Sequence, residues 1–127
     1  MAPPLHQLPR LQLNNPEGSH YEQQALHFLQ QQGLSFLFQN YRCRFGELDL
    51  IMFDGPCVVF VEVRYRRSTT FGGALASITW QKQQKLWRSA GCFLQQQPAL
   101  SQRPCRFDIV AFEGRGPCQW LKNAIQR

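Results

Sequence analysis

A chain of 127 residues, 43% hydrophobic and 13% aromatic, has the length and composition of one globular domain with its own core, which excludes a disordered protein. Its net charge of +6 and its pI near 9.4 favour a polyanionic partner. No Asp or Glu occurs from residue 63 to 107, while Arg64, Arg66, Arg67, Lys82, Lys85, Arg88, Arg103 and Arg106 supply eight of the fourteen basic groups, and nucleic acid is the commonest partner for such a field.

Residues 1–16, with four prolines and no apolar period, are expected to form a flexible leader before one domain over 17–127. Ser19-His20-Tyr21-Glu22 has the form of a capping box, and Tyr21, Ala25, Phe28 and Leu29 follow at helical spacing until Gly33. Glu22 is thus open to two explanations, a helix cap or a site residue. Residues 34–40 are predicted as the first strand, and residues 46–67 as a hairpin of two further strands around Asp54-Gly55-Pro56.

The hairpin carries the acids. With a four-residue loop at 54–57, Asp49 lies directly opposite Glu62 and Glu47 opposite Arg64; a two-residue loop at 54–55 makes the partners diagonal but keeps the face. Leu48, Leu50, Met52, Val59, Val61 and Val63 are expected on the other, apolar face. Like charges directly opposed in a sheet repel, so Asp49 and Glu62 need a cation between them, either a side chain or a metal. Ordinary cross-strand ion pairs, Glu47 with Arg64 and Glu62 with Arg64 or Arg66, are the plainer alternative.

After a Gly-rich loop at 68–73, a second helix is predicted over 79–97, ended by Pro98, with Leu86, Ala90, Phe93 and Leu94 inward and Lys82, Lys85 and Ser89 on a neighbouring face. Trp80 and Trp87 are open to core or surface, with the core the expected place for a tryptophan. Residues 106–112 read as a buried strand and 119–121 as a short edge strand. The crossover through the second helix makes the third and fourth strands parallel, while the first three form an antiparallel meander. The expected fold class is therefore α/β, with a mixed sheet flanked by helices.

Five cysteines, odd in number and without a Cys-x-x-Cys pair, and three histidines all within the first 27 residues give no zinc spacing. They are expected as reduced, partly buried thiols. No charged n-region precedes an apolar segment, and the longest apolar run, 57–61, is too short to cross a bilayer. The basic residues are spread over strand, loop and helix with no apolar anchor beside them, which argues against a membrane partner. A cytoplasmic protein is the expectation.

The segments Gly46-Glu47-Leu48-Asp49-Leu50-Ile51, Phe60-Val61-Glu62-Val63-Arg64-Tyr65-Arg66, Phe71-Gly72-Gly73, Lys82 with Lys85-Leu86, and Arg106-Phe107-Asp108-Ile109-Val110 together resemble the PD-(D/E)xK nuclease superfamily. More closely, they resemble the YraN family of small bacterial proteins, similar in pattern to archaeal Holliday-junction resolvases. The resemblance covers about residues 20–125 and implies a restriction-endonuclease-like αβββαβ core that hydrolyses phosphodiesters with Mg²⁺ or Mn²⁺. It implies a metal held by Asp49, Glu62 and the Val63 carbonyl, with Glu22 as a supporting acid. Arg64 stands where most of these nucleases have Lys; it can clamp a phosphate but does not readily take a proton from water.

Arg66, Arg67, Lys82, Lys85 and Arg88 are expected to contact the nucleic-acid backbone, DNA rather than RNA, and the two-fold symmetry of a junction invites a homodimer. Two rivals stand beside the nuclease: a non-catalytic nucleic-acid-binding module, which Arg64 favours, and a protein-interaction adaptor with an acidic partner.

Overall fold

A computed structural model of the chain describes residues 19–66 and 76–127. The expected leader, the Gly-rich loop and Arg67 lie outside the described residues. Helix α1 (Ser19–Gln31) leads to strands β1 (Ser35–Cys43), β2 (Gly46–Asp54) and β3 (Cys57–Arg66), then helix α2 (Trp80–Gln95), a 3-10 turn at Pro98–Leu100, and strands β4 (Cys105–Glu113) and β5 (Gln119–Leu121). The strands form one sheet in the order β1-β2-β3-β4-β5. β1 to β3 are antiparallel, β3 and β4 are parallel, and β5 runs antiparallel on the edge. The fold is α/β with a mixed five-stranded sheet and two helices, compatible with a restriction-endonuclease-like core.

Local chemistry explains the elements. α1 stops because Gly33 takes a φ of 97°, which lets its N–H bond the Gln30 carbonyl and the Leu34 N–H bond that of Leu29, the pairing of a Schellman cap. The β2–β3 connection is the two residues Gly55 and Pro56, with Asp54 paired to Cys57. Gly55 supplies the positive φ of 57° that a tight hairpin turn needs at its first central position. α2 begins at Thr79, whose hydroxyl accepts the Lys82 N–H at 3.1 Å, and it ends before Pro98.

Each face of the sheet carries a core. On one side Ala25 and Leu29 of α1 pack on Leu50, Met52, Val59, Val61, Val110 and Phe112. On the other, Leu86, Ala90 and Phe93 of α2 pack on Leu48, Ile51, Phe53, Val58, Phe60 and Phe107. One sequence expectation is corrected here: Leu48 belongs to the α2 side, away from Leu50 and Met52. The face that bears Glu62 also carries the buried Ile51, Phe53, Val58 and Phe60 beneath α2.

The cause lies in β1. Asn40 has a φ of 55° between the pairs Gln39–Leu50 and Tyr41–Leu48, and Asn tolerates that left-handed backbone better than most residues. Phe38 and Tyr41, three apart, consequently share one cluster, as do Ile51 and Leu48. Both strands change sides at this point, and the residue of β2 at the change is Asp49. A strand read as evenly alternating cannot show this.

β1 runs three residues past the expected end, and β4 one residue beyond each end of its expected range. Ser89, expected beside the lysines, is buried with its hydroxyl on the Lys85 carbonyl. Trp87 packs against Phe107, but Trp80 is 69% exposed. All five cysteines are free and half-buried. No helix among the described residues is long and apolar enough to cross a membrane.

Candidate active site

The ladder between β2 and β3 runs from Asp54–Cys57 to Leu50–Val61, and one further step of that register sets Asp49 opposite Glu62. There the ladder gives way to a side chain: Asp49 Oδ2 accepts the Val63 N–H at 2.9 Å. Glu62 is 4% exposed, on the same side as Phe60 and Val58. Lys82 comes down from α2 to place its Nζ 4.0 Å from Glu62 Oε2. Sequence spacing left open whether this ammonium reaches the hairpin; the packing of α2 brings it there.

Arg64, two residues along β3, donates from Nη1 to Glu62 Oε2 at 3.4 Å and from Nη2 to the Ser77 hydroxyl at 3.0 Å. Its Nε is buried without a partner. The plainer alternative is thus partly realised: Glu62 does pair with Arg64, though at a long distance. Glu47 pairs with Arg42 at 3.4 Å on the surface, not with Arg64 as the register suggested.

Glu22 arrives from the other side of the sheet. Ser19 is already helical, whereas the capping-box explanation made it the cap, and the Glu22 carboxyl bonds Asn40 instead. Desolvation, with repulsion from Glu47 and Glu62, pushes its pKa up to about 7. Because β1 and β2 twist at Asn40 and Asp49, an acid from the α1 side feels those facing α2.

Burial is also the main cause that raises Asp49 well above the usual carboxylate range, followed by repulsion from Glu62, with Glu22 and Glu47 adding to it. Glu62 is raised by burial, opposed first by the Lys82 and Arg64 charges and then by a hydrogen bond from Asp49. The arrangement holds more acid than its local cations neutralise.

Asp49 and Glu62 offer hard oxygen donors at one place, which suits a divalent cation that keeps much of its water. Among the described residues no three His, Cys, Asp or Glu side chains come together as a ready ligand set, so Glu22 stands beside the pair and not with it. Val63 contributes its N–H, to Asp49.

The expected backbone contacts divide. Lys85 and Arg88 are exposed on α2, with Arg88 6.0 Å above the Phe45 ring. Arg66 is half-buried and bonds its neighbour's carbonyl, and Arg67 lies outside the described residues. Arg106, part of the basic stretch in the sequence, is consumed internally by Asp54 and Asp108 at 2.9 Å each.

Sequence reasoning missed Asn40 and Ser77, which hold Glu22 and Arg64. Asn40 had a signal, since Asn is depleted in strands; Ser77 had none.

Comparison with known proteins gives one matching family model, described as Uncharacterised protein family UPF0102, over residues 21–112. That stretch contains Glu22, Asp49, Glu62, Arg64 and Lys82. A UPF0102 protein of Pseudomonas entomophila is 52% identical over 113 residues, covering 86% of this chain and 92% of that protein. One from Pseudomonas putida strain GB-1 is 53% identical with the same coverage. Another, from Pseudomonas fluorescens, is 53% identical over 112 residues, covering 85% and 91%.

Proposed function

We propose that this chain, which belongs to the family UPF0102, is a nuclease-type protein that binds structured or branched DNA and hydrolyses a phosphodiester with a divalent cation held by Asp49 and Glu62. The observation that carries the reading is the pair itself: two carboxyls on adjacent strands, both raised in pKa and bordered by Arg64 and Lys82. Mg²⁺ or Mn²⁺ bound there would remove the repulsion, lend positive charge to the phosphate and make a water more acidic.

The protein's own groups supply the rest. The Val63 N–H fixes one Asp49 oxygen and leaves the other for the cation. Arg64, tied to Ser77, presents its guanidinium beside Glu62, where it can exchange the long Glu62 contact for a phosphate oxygen. Lys82 is the group in reach that can both carry charge and lose a proton, which an arginine cannot readily do. Glu22 sets the charge around Asp49 from the second side. Lys85 and Arg88 extend the positive surface along α2 for backbone contacts that position the strand without reading its sequence.

A cleavage assay on junction, flap, single-stranded and duplex DNA with Mn²⁺, run beside Asp49→Asn and Glu62→Gln, tests the proposal. Cutting by the wild type that disappears in both variants is expected. Cutting that persists in both places the activity elsewhere.

One observation favours a second reading, a DNA-binding module without turnover. Arg64 and Lys82 already sit against Glu62, so side-chain cations fill part of the role a metal would take. Calorimetry with Mg²⁺ and Mn²⁺ separates the two: heat of binding in the wild type that Asp49→Asn abolishes supports the nuclease, and none in the wild type supports the module.

A further inference from the structure

The packing of α2 on β1 brings two of the five cysteines together, and neither takes part in the carboxylate site. Along this contact Tyr41 of β1 donates its hydroxyl to Gln96 Oε1 at 3.0 Å and sets its ring edge-on to Phe93, with centroids 5.3 Å apart. Cys43 lies two residues further on the same side of the strand. There it meets Ser89 and Cys92, which share a helical face with Phe93 and Gln96. Ser89 is buried, and a Cβ built on Gly46, the partner of Cys43 across the turn, would lie 3.7 Å from its hydroxyl. The Cys43 thiol is hydrogen-bonded with the Ser89 hydroxyl, the N–H groups of Phe45 and Gly46, and the Cys92 thiol. Two thiols held in contact by elements locked through the core have only to close to about 2 Å to become a disulfide.

The two sulfurs are unequal. Burial works against ionisation of Cys43, yet the hydrogen bonds from Ser89, the two N–H groups and Cys92 outweigh it and hold the thiol below its ordinary value. Cys92 is raised, by burial first and then by its bond to Cys43 and that sulfur's charge, with Arg44 acting the other way. One sulfur is thus the nucleophile, and the other keeps its proton and follows. Arg44 and Arg88 both lie over the Phe45 ring, at 4.8 and 6.0 Å, so positive charge borders the pair and favours a thiolate. The other three cysteines differ. Burial raises each of them, and Cys57 and Cys105 give their S–H to the carbonyls of Val58 and Arg103. Cys43 and Cys92 are half-buried, open enough for a small oxidant, and an activated thiol beside a second one is the arrangement of oxidation-responsive cysteines.

We propose that Cys43 and Cys92 form an oxidation site for small hydroperoxides, at which they close a reversible disulfide between β1 and α2. The Cys43 thiolate attacks one peroxide oxygen, the O–O bond breaks, the departing oxygen takes a proton from solvent, and Cys43 becomes a sulfenic acid. The Cys92 sulfur then attacks the Cys43 sulfur; hydroxide departs with the Cys92 proton as water, and an S–S bond replaces the S–O bond. The two thiols give up two electrons and the peroxide gains them. A thiol reductant reverses the step by exchange. The site stands apart from the nucleic-acid reading, but it lies on the same helix: α2 carries Lys82 near its start and Cys92 near its end, so the disulfide ties to β1 the helix that brings Lys82 to Glu62.

The full chain, reduced, is treated with hydrogen peroxide in small excess, alkylated and mapped by mass spectrometry. Two of the five thiols should become protected, in a linked Cys43–Cys92 peptide lighter by two hydrogens that dithiothreitol separates. Before oxidation, Cys43 should alkylate about 10-fold faster than Cys105 or Cys118, following its larger thiolate fraction. Cys92→Ser should stop at the Cys43 sulfenic acid, trapped by dimedone, and Cys43→Ser should give neither product. A link between another pair, even oxidation of all five thiols, or no oxidation of Cys43 overturns the assignment. The wild-type map reads the site without any substitution, so a variant that folds poorly does not leave the outcome open.

Discussion

Glu22 shows how far one side chain's role depends on what packs over it. Its pKa of about 7 comes from burial first and from Glu47 and Glu62 next, opposed by the Asn40 hydrogen bond. Because the folded-state value lies above that of the unfolded chain, near 4.5, the native state holds an extra proton between about pH 4.5 and 7. The associated stability is fully present below that window and is lost as pH rises through it. Asp49 and Glu62 are raised too, so they add to the same slope. Urea midpoints measured from pH 5 to 8 should therefore fall for the wild type and fall less for Glu22→Gln; identical slopes would mean that Glu22 titrates normally in solution. At Asn40 the constraint is in the backbone. Asn40→Ala should cost about 1 kcal/mol more than Asn40→Gly, since a left-handed φ penalises a Cβ by roughly 1–2 kcal/mol, a difference readable in the same denaturation experiment.

The three-residue strand β5 cannot hold itself on the sheet by its own ladder, and a buried acid does it instead. Asp108 of β4 is fully buried and accepts the Trp120 indole N–H at 2.9 Å and the Asn123 backbone N–H at 2.8 Å, as well as Arg106. The Arg106 pKa is raised by Asp108 and Asp54 against the cost of its own burial. Removing one partner from such a network leaves a buried charge uncompensated. Asp108→Ala should cost about 3–5 kcal/mol and raise hydrogen exchange first in β5, as seen by urea titration and amide exchange; a loss under about 1 kcal/mol would show that water can replace the acid. α2 has a different task, joining core to site. Leu86, Ala90 and Phe93 bury its inner face, which fixes where Lys82 reaches and leaves Lys85 outside. Lys85→Gln should make the slope of log affinity against log salt shallower by about 1 with no change in sequence preference, whereas Arg106→Gln should change stability and not the slope.

Across the whole molecule, charge and sheet are arranged about one end of the β2–β3 hairpin. Three acids gather there, Glu22, Asp49 and Glu62, with only Arg64 and Lys82 among the described residues paired to them. If a divalent ion belongs there, it binds the folded state alone and stabilises it, by about 2.7 kcal/mol at a hundred times its dissociation constant. At pH 8 saturating Mg²⁺ should then raise the urea midpoint of the wild type and not that of Asp49→Asn; equal shifts would place the ion elsewhere. The sequence by itself determined the fold class, the order of helices and strands, the parallel β3–β4 pairing and the facing of Asp49 and Glu62, because periodicity, turn residues and strand register are local and survive without tertiary contacts. Only the tertiary structure decided that Glu22 turns inward to Asn40, that Lys82 reaches Glu62, that Arg106 is spent on Asp54 and Asp108, and that Trp80 stays outside. Each of these depends on which element lies across the sheet and at what twist. The left-handed Asn40 reverses the sidedness of two strands at once, and no alternation counted along either strand contains that information.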